Sequence, residues 1–83
     1  MNETLVLSHL EEAVEELQRT VSELKADESY GEGELMVAMR HLYHHVNTAW
    51  NAKDATDAEA EPGSNSQWNA WGEFPGDFPL GRV

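Results

Sequence analysis

With 83 residues and no cysteine, the chain has room for one small domain that gains nothing from disulfides or thiolate-bound zinc. Sixteen acidic residues against five Lys and Arg give a net charge of −11. Such a field repels phosphate backbones and anionic bilayer surfaces, which argues against direct nucleic-acid or membrane binding. The excess is even along the chain: residues 1–53 carry 10 acids and 4 bases, residues 54–83 carry 6 and 1.

The N-terminal stretch Met1-Asn2-Glu3-Thr4-Leu5-Val6-Leu7 has no basic residue, and its apolar run is too short for a signal peptide, so the expected location is the cytoplasm. From residue 7 the apolar positions run Leu7, Leu10, Val14, Leu17, Val21 and Leu24, in steps of 3, 4, 3, 4 and 3. This spacing is the seam of a helix that packs along its length against another helix. Asn2 or Thr4 can cap its start. Glu11, Glu12, Glu15, Glu16 and Arg19 lie away from the seam, with Glu15 and Arg19 in the favourable i, i+4 orientation.

Asp27-Glu28-Ser29-Tyr30-Gly31-Glu32-Gly33 follows, and its two glycines predict a break and a turn. Beyond it a second stripe runs Leu35, Met39, Leu42, Val46 and Ala49. The two stripes mirror each other about Ser29 and Tyr30: Leu24 matches Leu35, Val21 Met39, Leu17 Leu42, Val14 Val46 and Leu10 Ala49. Side-by-side antiparallel helices of equal rise require such a relation, and the expectation is that the paired residues face each other. Met36, Tyr43 and Trp50 recur every seven residues beside the second stripe and widen its apolar arc. A wider arc implies a second neighbour, either another copy of the chain or its own C-terminal tail.

The second helix also carries His41, His44 and His45. His41 and His45 are spaced i, i+4, which lets two imidazoles reach one ion, zinc or nickel being the candidates. One helical turn supplies an incomplete shell, and a solvated polar face is the simpler use of such residues. The metalloprotease helix pattern needs a Glu after the first His, where this chain has Leu42. Ser8 and His9 are adjacent and point to different sides of a helix, so they cannot act as nucleophile and base. No enzymatic activity is expected.

Residues 54–67 hold no large apolar side chain and read as an acidic, flexible linker. Residues 68–83 then place Trp68, Trp71, Phe74 and Phe78 among prolines and glycines, which predict turns or extended stretches. Burying an aromatic side chain is worth roughly 1.5–3 kcal/mol, so these residues should find a surface.

The sequence therefore predicts an all-α fold. Residues 1–53 form an antiparallel two-helix hairpin, with helices at about 3–27 and 33–53, that pairs into a four-helix bundle as a homodimer. The irregular tail docks on the hairpin or on a partner, with Met36, Tyr43 and Trp50 as the receiving surface. The function expected is a small protein–protein interaction module: an adaptor, regulator or accessory subunit working without a cofactor. Its rivals are a metal-binding protein and an acidic decoy that binds a basic protein.

Overall fold

The computed structural model describes residues 1–60 and 65–76. These residues are helical, with no strand among them, and two long helices pack against each other. Helix α1 spans Glu3–Ala26 and α2 spans Glu32–Asn51. The short α3 covers Asp57–Ala60, and α4 covers Asn65–Gly72. No helix among the described residues is long and apolar enough to cross a membrane.

Asn2 caps α1, its Oδ1 accepting from the Leu5 N–H at 3.2 Å. The same residue fastens the open end of the hairpin. Its backbone N–H donates to the Lys53 carbonyl, and its side-chain amide donates to the Ala55 carbonyl at 3.0 Å. At the other end, the turn is made by Asp27 rather than by the two glycines. Asp27 Oδ1 accepts from the Ser29 N–H at 2.9 Å and from the Ser29 hydroxyl at 2.6 Å, an aspartate turn that reverses the chain without any positive φ. Gly31 instead precedes α2 in an extended conformation, its N–H donating to Glu34 Oε2 at 2.8 Å. Gly33 lies within α2.

The face by which α1 and α2 meet differs from the expectation. The residues buried in the two helices are Ala13, Thr20, Ala38, Thr48 and Ala49, joined by Ala52 just beyond α2. Small side chains permit close helix packing, and the leucine stripe lies beside the buried residues rather than among them. Leu7, Leu10, Val14, Leu17, Val21 and Leu24 keep between 42% and 55% of their surface open. Contacts across the hairpin join Asn2 to Ala55, Glu12 to His45 and Glu16 to His41. The hairpin is thus centred near Glu28 rather than between Ser29 and Tyr30.

Where the stripe points follows from helix geometry. At 100° per residue, the stripe lies roughly 100° around α1 from the face carrying His9, Ala13, Glu16 and Thr20. On α2, the positions of Leu35, Met39, Leu42 and Val46 lie roughly 70° around from Ala38, His45 and Ala49. Because the helices run antiparallel, rotations of the same sense bring both sets to the same side of the hairpin. Leu35 and Val46 are exposed there as well. The result is one continuous apolar face.

Helix α4 packs on α2 from the other side. Asn47 and Asn51 define this contact: the Asn47 amide donates to the Gly72 carbonyl at 2.8 Å, and the Asn51 amide donates to the Trp71 and Glu73 carbonyls, both at 2.7 Å. Two carboxamides thereby satisfy the carbonyls left without intrahelical partners at the end of α4. From the prolines and glycines, turns or extended chain are expected here. The helix forms because the prolines fall outside it, at Pro62 and Pro75, while Trp68 to Trp71 carries no breaker. Within the expected flexible linker, α3 starts on a capping box: Thr56 Oγ1 accepts from the Glu59 N–H at 3.2 Å, and Glu59 Oε1 accepts from the Thr56 N–H at 3.1 Å.

Candidate functional site

Two features stand out from this scaffold: the open apolar face, and a set of imidazoles and carboxylates at the hairpin interface. The three sequence-predicted histidines are separated by the packing. His41 is mostly exposed and approaches Glu16 of α1, with its Nδ1 3.9 Å from the carboxylate. Glu16 also takes the Arg19 guanidinium at 2.8 Å, in place of the expected Glu15 pairing. His44 lies on the α4 side, against Gly72. His45 turns toward α1, one helical turn from His41, and meets residues that the sequence reading had not put with it.

Those residues are His9 and Glu12. His9 Nδ1 and His45 Nδ1 stand 3.1 Å apart, with the ring centroids at 5.4 Å. On the other edge of the ring, His45 Nε2 is 3.1 Å from Glu12 Oε2. One ligand atom from each of the three residues can be chosen so that all lie within 4.8 Å of one another. The signal for this was present in the sequence, because His9 and Glu12 are spaced i, i+3 and so share a face of α1. It stayed hidden because the expected register placed His9 opposite the end of α2 rather than opposite His45.

Burial pushes the His9 imidazole below its ordinary value of 6.5; the neighbouring His45 adds to this, and Glu12 opposes it. His44 is lowered too, first by burial and then by His45, His9 and His41. The unfolded chain therefore binds protons near pH 6.5 more readily than the folded one. The stability these two groups contribute is complete above that pH and is lost as pH falls toward the folded values. In chelator-treated protein, the melting temperature is expected to drop between about pH 7.5 and about pH 5.5. A flat profile over that range would count against the burial of these rings.

Of the expected receiving surface, Met36 and Tyr43 remain largely open, at 57% and 61% exposure. They line an open groove of about 790 Å³ beside α4, together with Arg40, His44, Asn69 and Glu73. Trp50 is half-buried, and the Lys53 ammonium sits 4.1 Å from its ring centroid, a cation–π contact. Of the expected tail anchors, Trp71 is half-buried and Phe74 is exposed, while Pro75, which the sequence reading did not single out, is buried. The Trp68 side chain and Phe78 lie outside the described residues.

The fit of α4 depends on Gly72. A Cβ built there would overlap the His44 imidazole. Gly72→Val should therefore weaken docking of α4 by about 1–3 kcal/mol, the range for overpacking a close contact. A red shift of tryptophan fluorescence with the hairpin still helical is the expected readout. An unchanged spectrum would mean that α4 does not rest on His44.

Comparison with known proteins finds no matching family model, no matching curated protein and no matching solved structure.

Proposed function

We propose that this protein is a small acidic interaction module that works as a homodimer, its two hairpins joined through their open apolar faces into a four-helix bundle. It acts by contact rather than by chemistry, as an adaptor, regulator or accessory subunit. The observation that supports this reading is the leucine and valine stripe of α1, left open by the hairpin's own packing and continued by Leu35 and Val46 on α2.

A second copy is the occupant for two reasons. The first is symmetry. The steps 3, 4, 3, 4, 3 read the same in both directions, so the stripe can lie on a copy of itself about a two-fold axis between Val14 and Leu17. The second is area. With a whole leucine or valine taken as roughly 150–180 Å², the stripe with Leu35 and Val46 leaves roughly 600 Å² open, against roughly 800 Å² per partner in a standard interface. That is at the upper end for the largest apolar patch of a monomer, and the rim residues around it supply the remainder.

Charge sets the test. Two copies at −11 repel each other, so added salt should strengthen the dimer. Light scattering on the full chain, across concentration and at low and high salt, should give twice the chain mass, with dissociation on dilution favoured by low salt. A chain that stays monomeric throughout and captures a basic protein only at low salt would replace this reading with the acidic decoy.

A further inference from the structure

We propose that His9, Glu12 and His45 form a binding site for a zinc-class divalent ion that clips α1 to α2. This inference is independent of what covers the apolar face, because all three ligands come from a single hairpin.

The geometry carries it. Two imidazole nitrogens face each other across the helix interface at 3.1 Å. Two nitrogens bound to one zinc at about 2.0–2.1 Å in a tetrahedral shell lie roughly 3.3–3.4 Å apart, so the pair already has nearly the edge length of a coordination shell. Glu12, one turn along α1 from His9, brings a carboxylate to the other side of the His45 ring at 3.1 Å. The Glu12 side chain is 55% exposed, which leaves it room to turn toward the same ion. Neighbouring rings hold the set: His44 packs edge-on against His45, centroids 5.8 Å apart and planes at 74°.

The chemistry of the donors selects the ion. Two imidazoles and one carboxylate suit zinc, cobalt or nickel, whereas magnesium and calcium prefer shells made wholly of oxygen. Three protein ligands leave one position for water. The benefit is structural. A short chain without cysteine, whose hairpin core is alanine and threonine, lacks the staples that stabilise other small domains, and an interhelical ion is one such staple. His41 and Glu16 form a parallel rung at 3.9 Å, which lies outside the three-ligand set.

The test is titration of the chelator-treated full chain with zinc chloride by calorimetry, with thermal melts in parallel. The expected result is one zinc per chain, a dissociation constant below about 1 µM and a raised melting temperature. His9→Ala and His45→Ala should each weaken binding at least about tenfold, while His41→Ala leaves it within about twofold. Should the first two variants lose helicity, the wild type still decides the matter. In the cobalt-loaded protein, the imidazole proton signals of both His9 and His45 should show large paramagnetic shifts in NMR spectra. Absence of zinc binding, binding that survives loss of His9 and His45, or paramagnetic shifts confined to His41 or His44 would each overturn the proposal.

Discussion

Under the proposed dimer, a chain carrying both Leu10→Glu and Leu17→Glu should be monomeric at concentrations where the wild type pairs, while keeping its helix content. Both residues lie on the open face, and each already leaves more than two fifths of its surface exposed in the single hairpin. Neither is among the residues buried in the two helices, so the alanine and threonine contact stays in place when they are replaced. In the dimer the account is different. Burying the open part of each leucine contributes about 1 kcal/mol, and two substitutions in each of two copies remove four such contributions, about 4 kcal/mol in all. That corresponds to a dimer roughly a thousandfold weaker, before the desolvation of four carboxylates is counted. Sedimentation or light scattering reads the outcome directly. A double variant that remains dimeric would show that these leucines are not the interface.

The opposite pattern is expected at the hidden face. Ala49→Leu adds bulk on the buried side of α2, at a residue that keeps only 7% of its surface open. Overpacking of this kind costs about 1–3 kcal/mol, and in a chain of this size each kcal/mol lowers the melting temperature by roughly 4–8 °C. Val46→Leu, three residues earlier in α2 and exposed, should leave the hairpin's own stability nearly unchanged. Thermal melts followed by far-UV circular dichroism compare the two. Equal effects would mean that the alanine contact is looser than described.

These two experiments also separate what could be read in the sequence from what could not. The helical periodicity of Leu7 to Leu24 and the cap at Asn2 are local and legible in the sequence, whereas Asp27 makes the turn expected of the two glycines, and α3 and α4 form where a linker and turns are expected. Which face of a helix meets its neighbour is not local. Leucine gives a strong apolar signal and alanine a weak one, yet Ala13, Ala38 and Ala49 form the contact because small side chains permit the closest approach. The mirror relation between the stripes is a property of their spacing alone. With the hairpin centred near Glu28, Leu24 and Leu35, or Val14 and Val46, are offset from one another by two to three residues, and they look out to one shared side instead of at one another. Two antiparallel helices produce the same mirrored spacing in either case.

The metal-ligating candidates divide in the same way. His41, His44 and His45 stood together in the sequence because they are neighbours on one helix, and the packing sends them to different surroundings. His45 acquires His9 and Glu12 only through the register of α1 on α2. The sequence expects the aromatic tail to need a surface, and of its described aromatic side chains Trp71 is half-buried while Phe74 is exposed. The Asn47 and Asn51 amides that hold the end of α4 were not legible, since a carboxamide on a helix carries no sign of the carbonyl it will meet.

The division of the hairpin between a buried contact of alanine and threonine and an open stripe of leucine and valine bears on how such a protein can change over generations. Alanines at the hairpin contact allow almost no drift, since any growth there forces the helices apart. The leucine and valine stripe is under no such restriction within the hairpin, so Ile, Met or Val can replace one another along it without disturbing the fold. With the stripe as the proposed partner surface, foldability and choice of partner are written on separate sides of the hairpin. A lineage carrying this scaffold could alter what it pairs with, one surface residue at a time, without passing through unfolded ancestors.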